Sequence, residues 1–121
     1  MKLVYLLPVA CALTLSVVLG VSAGANARDA QSEGRAITVT MRSLSYEPKI
    51  LEVHVGDSLV WSNQAHTTHT ATSDDDGQTF DTGNIEPGKS STPIRFDKKG
   101  EFKYHCKIHG RSMSGTVVVG G

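Results

Sequence analysis

From Ala36 onward, apolar and polar residues alternate with a period of two, and no stretch carries the 3.6-residue period of an amphipathic helix. In "ITVTM", Ile37, Val39 and Met41 oppose Thr38 and Thr40; in "KILEVHV", Leu51, Val53 and Val55 oppose Glu52 and His54. Gly56-Asp57 is a turn signal ahead of the strand "SLVWSN", and Gly77, Gly83 and Pro87-Gly88 punctuate the middle of the chain. "TPIRF" reads as a short strand, "DKKG" turns into "EFKYHC", and "GTVVV" closes the chain. Short strands with turns roughly every 8–12 residues predict an all-β domain, a Greek-key β-sandwich of about seven to eight strands with antiparallel pairing.

The alternation also sorts side chains between faces. In "EFKYHC", Phe102, Tyr104 and Cys106 share one face, and Glu101, Lys103 and His105 share the other. The charged face cannot be the buried one, so Cys106 is expected to point into the core at a strand end and His105 to point to solvent. His54 lies on the face of Glu52 and reads as a surface residue by the same argument.

The N-terminus departs from this pattern. After Met1-Lys2 comes the apolar run "LVYLLPVACALTLSVVLGVSA", then "GANA", with Ala25 and Ala27 in small-x-small spacing. Residues 1–27 are therefore expected to be a signal peptide cut after Ala27, with a cut after Ala23 or Ala25 fitting nearly as well. The alternative is an uncleaved membrane anchor, since residues 3–23 are about long enough to span a bilayer. Residues 28–35, "RDAQSEGR", are expected to form a flexible arm, and residues 36–121 a single domain. Cleavage leaves 121 − 27 = 94 residues and removes Cys11, so Cys106 is the one remaining thiol and no intrachain disulfide is possible. An exported protein with one thiol must protect it or use it. The 12 basic residues less Lys2 leave 11 against 12 acidic ones, a balance that argues against a nucleic-acid partner. The charges are uneven along the chain, with "SDDDG" acidic and "RFDKKGEFKYHCK" basic.

Cys106, His109 and Met113 have the spacing C-x2-H-x3-M directly after the inward-facing strand end. A loop that short lets three side chains converge on one atom. Thiolate and thioether are soft donors that suit copper, while imidazole suits zinc, copper and iron alike. A fourth donor is expected to be a histidine. His66 and His69 both follow the Trp61 strand in "WSNQAHTTHTATS", and the fading alternation leaves both open. A Cys-His pair also suits a thiol hydrolase, but that chemistry needs a cleft and an oxyanion hole for which a small sandwich has little room. No other nucleophile with its base and no phosphate loop is present, so neither an enzyme nor a small-molecule substrate is expected.

"VWSN", "HTATS", "FDTG", "PGKS" and the ending "F..KGEFKYHC..H...M.G.VVV" resemble the cupredoxin family of type I blue-copper proteins, its plastocyanin-like and especially its amicyanin-like members. The resemblance runs from about Ile37 to Val119. It implies a cupredoxin-type sandwich holding one copper ion (Cu+/Cu2+) per chain, with His69, Cys106 and His109 as ligands and Met113 as a weak axial thioether. Three positions depart from the family pattern. The His-to-Met gap (Gly110, Arg111, Ser112) is one residue longer than in amicyanin-like loops and one shorter than in plastocyanin-like ones. Gly110 stands where proline is common. Thr70 stands where many members carry Asn, and its hydroxyl is expected to take over that side chain's hydrogen bond. The implied function is that of a periplasmic one-electron carrier, acting as a monomer between a dehydrogenase donor and a cytochrome acceptor. His109 is expected near the surface, framed by Ile108 and Ala65, with Lys103, Lys107 and Arg111 steering an acidic partner. The alternative is a non-redox copper protein for storage, delivery or sensing, or the same ligands holding zinc.

Overall fold

The computed structural model describes residues 34–121; the expected leader and residues 28–33 of the expected arm lie outside the described residues. Eight strands follow in chain order: β1 (Ala36–Met41), β2 (Tyr46–Glu47), β3 (Ile50–His54), β4 (Ser58–Asn63), β5 (Thr72–Ser73), β6 (Ile94–Arg95), β7 (Gly100–Cys106) and β8 (Gly110–Gly120). They form two four-stranded sheets, ordered β2-β1-β4-β6 and β3-β8-β7-β5. The expected all-β sandwich is present, and its inward faces carry one shared core. Val39, Met41, Leu59 and Trp61 come from the first sheet, and Val53, Tyr104, Val117 and Val119 from the second.

Pairing is not uniformly antiparallel. β1 runs parallel to β4, Ala36 opposite Ser58 through Met41 opposite Asn63, and β3 runs parallel to β8. The reason is topological. β2 doubles back on β1, the chain crosses to the other sheet as β3, and the turn after His54 reverses it again, so β4 travels in the direction of β1. Alternation reports which face a residue occupies and nothing about strand direction. Strand lengths differ from expectation too. "TPIRF" contributes only Ile94–Arg95, Val55 falls in the turn after β3 and is 43% exposed, and the closing strand begins at Gly110 rather than near Gly115.

The β7–β8 hairpin is the element that matters most. Its register is regular from Gly100 opposite Val119 to His105 opposite Ser114, then jumps so that Cys106 faces Gly110. Residues 111–113 are thereby bulged out of β8 opposite the single step from His105 to Cys106. Below the bulge lies an aromatic cluster. Trp61 stacks on Phe80 with centroids 5.3 Å apart, and both meet Tyr104 edge-on at 5.6 Å. Tyr46 closes on Tyr104 at 4.6 Å. Such pairs add rigidity beyond their buried area.

Candidate metal centre

Two segments carry the candidate ligands, and each is fixed by backbone bonding before any ion is considered. The first leaves β4 at Asn63, a fully buried amide. Its Nδ2 donates to the carbonyls of Thr67 and Ile85, both at 2.8 Å, and its Oδ1 accepts from the Ala65 amide at 2.9 Å. The loop is thus folded around one side chain, which satisfies polar groups that burial would otherwise penalise. His69 is then clamped against Ile85 by two backbone bonds, at 3.1 and 2.8 Å. The Tyr46 hydroxyl donates to the Thr70 carbonyl at 2.5 Å; burial, first of all, with the charges of Cys106 and Tyr104 adding to it, pushes the Tyr46 hydroxyl far above its ordinary pKa, so it stays a donor.

The second segment is the hairpin tip, residues 107–109, with the bulge beyond it. Gly110 has φ +67°, left-handed backbone that proline, locked near −65°, cannot adopt. The shape of this hairpin therefore excludes proline at this position. The Ser112 hydroxyl donates to the His109 carbonyl at 2.7 Å and closes the turn.

The side chains these segments deliver meet. His69 Nδ1 lies 3.2 Å from His109 Nδ1, and Cys106 Sγ lies 3.8 Å from the first and 3.5 Å from the second. The point equidistant from the three atoms is about 2.0 Å from each, a metal–nitrogen distance and within about 0.3 Å of the ~2.3 Å at which a thiolate sulfur binds. Among the described residues, His69, Cys106 and His109 form the group of His, Cys, Asp or Glu side chains whose donor atoms converge in this way. Met113, at the end of the bulge, is fully buried, as are His69 and Cys106; His109 is half-buried. His66 is exposed and takes no part, which settles the choice between the two mid-chain histidines.

The surroundings prepare the donors. Burial, and then the positive charge of a protonated His109, lower the pKa of His69, against the pull of a hydrogen bond to the Arg42 backbone. His69 is therefore held neutral with a ring lone pair free to bind. The Thr70 amide donates to Cys106 Sγ at 3.3 Å, a contact that stabilises a thiolate. The Thr70 hydroxyl accepts from the Lys107 amide at 2.9 Å and ties the residue after His69 to the residue after Cys106.

Other expectations are modified. His105 does lie on the outer face, yet its side chain is only 20% exposed and its Nδ1 sits 2.6 Å from Asp74 Oδ1. The expectation of a solvent-facing residue considered only the β7 alternation and not the neighbouring "SDDDG" loop. Of the three basic residues expected to steer a partner, Lys107 pairs with Asp81 at 2.5 Å and Arg111 with Asp74 at 2.9 Å. These carboxylates offset two of the three charges. Ile108 is 52% exposed beside His109, whereas Ala65 is buried. Sequence reasoning missed Asp74 and Asp81 as neighbours of the site; the Thr70-x-Thr72 spacing was the available signal that one face of this segment is hydroxylated.

Two imidazoles and one thiolate that converge on a β-sandwich, with a buried methionine following them in the same hairpin, fit the blue-copper class and a single copper ion. The chain belongs to the cupredoxin family: the family model described as "Cupredoxin-like domain" matches residues 11–119. It is similar to chloroplastic plastocyanin of Tetradesmus obliquus, 34% identical over 87 residues that make up 64% of this chain and 59% of that protein. The chain thus spans less than two thirds of that relative's length. Among solved structures, a reduced amicyanin variant superposes with a TM-score of 0.60 at 28% identity, covering 70% of this chain and 82% of that one. A copper-containing nitrite reductase of Thermus scotoductus superposes with a TM-score of 0.64 at 30% identity, but the match covers 71% of this chain and only 22% of that enzyme.

Proposed function

We propose that the protein is a periplasmic one-electron carrier built on a mononuclear type I copper site, with His69, Cys106 and His109 as the strong ligands and Met113 as the weak axial one. The observation that carries the proposal is the convergence of His69 Nδ1, His109 Nδ1 and Cys106 Sγ within 3.8 Å of one another. His69, Cys106 and His109 would hold the ion, which when bound would supply a one-electron Cu(II)/Cu(I) couple.

The chain's own residues hold the donors still. His69 is bonded to Ile85 through both backbone groups, and Cys106 ends a strand paired on both sides. Little has to move when the electron count changes, and the barrier to transfer is correspondingly small. His69, Cys106 and Met113 are fully buried, an enclosure that suits a carrier whose electron passes through the protein. Half-buried His109 next to exposed Ile108 offers the route outward, a small apolar edge suited to brief docking. By analogy with the amicyanin-like family pattern, the donor would be a dehydrogenase and the acceptor a cytochrome, with the protein acting as a monomer. The apolar N-terminal run supports export to the periplasm, with retention on the membrane if the run is not cut.

The test is to load the purified protein with Cu(II) and record its visible absorption. An intense thiolate-to-copper band is expected, bleached by one electron equivalent, restored on oxidation and absent from Cys106→Ser. A protein that takes up Cu(I), remains colourless and cannot be oxidised would instead be a storage or delivery protein.

A further inference from the structure

We infer that Asp81 is a positioning residue of the metal centre: its carboxylate ends a one-way chain of hydrogen bonds through Thr72 and Thr70 that holds the Thr70 amide on the sulfur of Cys106. The inference builds on the copper-site reading above. Its starting point is the order of donors. Thr72 Oγ1 donates to Asp81 Oδ1 at 2.9 Å, so its single proton is committed. The contact of 3.0 Å between Thr70 Oγ1 and Thr72 Oγ1 is then donated by Thr70. Thr70 Oγ1 in turn accepts from the Lys107 amide at 2.9 Å. Every proton points the same way, from Lys107 N–H through two hydroxyls to a carboxylate, the arrangement in which successive bonds polarise one another.

The chain closes into a ring, because the Lys107 ammonium donates to the other carboxylate oxygen, Asp81 Oδ2, at 2.5 Å. Asp81 also accepts the Gly83 amide at 2.9 Å and is paired through its backbone with Thr72, so its carboxylate has little freedom. Thr70 and Thr72 are 2% and 1% exposed, so their hydroxyls are shielded from solvent, and Asp81 is the member of the chain that reaches the surface. One acidic side chain thus links the residue that follows His69 to the residue that follows Cys106. Remove the terminal acceptor and Thr72 turns its proton elsewhere, Thr70 loses its fixed rotamer, and the amide that faces Cys106 Sγ at 3.3 Å is no longer held. An N–H···S bond favours the more electron-rich, reduced site, so its weakening lowers the reduction potential and moves the thiolate-to-copper band.

The test uses Asp81→Ala, Thr72→Val and the conservative Thr72→Ser. Amide hydrogen exchange at Thr70 and Lys107 is followed by NMR in the metal-free protein, and the visible band and reduction potential in the copper-loaded one. Asp81→Ala and Thr72→Val are expected to speed exchange at both amides by about tenfold or more. The amides pairing β3 with β8 should keep their rates. The band should shift and the potential fall in the same two variants, and Thr72→Ser should behave as wild type. Wild-type exchange at Thr70 and Lys107 together with an unmoved band in Thr72→Val overturns the inference. That variant decides the matter alone if Asp81→Ala does not fold. Failure of the wild-type protein to show any band would refute the electron-carrier reading, while exchange in the metal-free protein would still decide the role of Asp81.

Discussion

Gly110 and Met113 bound the loop whose length departs from the family pattern. Three residues separate His109 from Met113, and the structure absorbs them by bulging 111–113 out of the β8 register while Met113 is buried completely. If Met113 is the weak axial donor, its removal should disturb the electronics more than the fold. Met113→Leu conserves volume and should change stability by less than about 1.5 kcal/mol. It should retain copper and raise the reduction potential, because loss of a donor favours the low-coordinate Cu(I) state; voltammetry of the loaded variant checks this. Gly110 makes the complementary case. Gly110→Pro would impose the residue common in the family on a backbone at φ +67°. The expected loss is about 3 kcal/mol, seen as a lower thermal midpoint and weaker metal retention, whereas Gly110→Asn should be tolerated far better. At this scale the sequence was highly legible. Soft donors at C-x2-H-x3-M, placed after an inward-facing Cys106, pointed to the site from residues alone. The choice of His69 over His66 came from the family resemblance and not from the alternation, because it is made by bonds of Asn63 and Ile85 that no periodicity encodes.

β7 and β8 show why the faces of strands can be read and their partners cannot. Phe102, Tyr104 and Cys106 lie on the inner face as the alternation requires. The partner strand was expected to start near Gly115, yet it begins five residues earlier, and a bulge that ends at the buried Met113 replaces an expected open loop. A pattern of period two locates side chains relative to a sheet; it says nothing about a register jump or about the parallel pairing of β1 with β4. Gly115 was read as the start of a strand, but its role is packing. It lies opposite Tyr104, and a Cβ built there would stand 2.6 Å from the Tyr104 ring and from its hydroxyl. That ring is itself held edge-on by Trp61 and Phe80 and has no room to withdraw. Gly115→Ala should therefore destabilise the protein by about 1–3 kcal/mol by overpacking. It should also loosen the hairpin that carries Cys106 and His109. Denaturant unfolding of the metal-free protein measures the first effect, and the ratio of loaded to unloaded stability the second; an unchanged midpoint would mean that Tyr104 can move after all.

At the molecule's other end an ionised side chain bridges segments of the two sheets, and this makes the stability of the whole domain respond to acid. Asp57, in the turn between β3 and β4, is 4% exposed at its side chain. Its carboxylate accepts the Arg35 amide at 2.8 Å, the Arg35 guanidinium at 3.0 Å and the His54 amide at 2.8 Å. Arg35, the last residue of the expected arm, is held by these bonds one residue before β1. Burial by itself would raise the pKa of Asp57, but the Arg35 and His54 hydrogen bonds together with the Arg35 charge hold it down to about 2. The folded pKa lies below the ordinary value of 3.8, so the folded state binds the proton less readily than the unfolded chain. The contribution of Asp57 is accordingly complete above the unfolded value and is lost as pH falls from about 4 toward 2. Arg35 is 62% exposed at its side chain, and solvent screening reduces the effect to about 1–2 kcal/mol. Asp57→Asn should be less stable than wild type by about that amount at neutral pH and should converge on it near pH 2. Chemical unfolding of the metal-free protein across this range measures the difference without interference from protonation of bound ligands, and two parallel stability curves would show that Asp57 has no depressed pKa to lose.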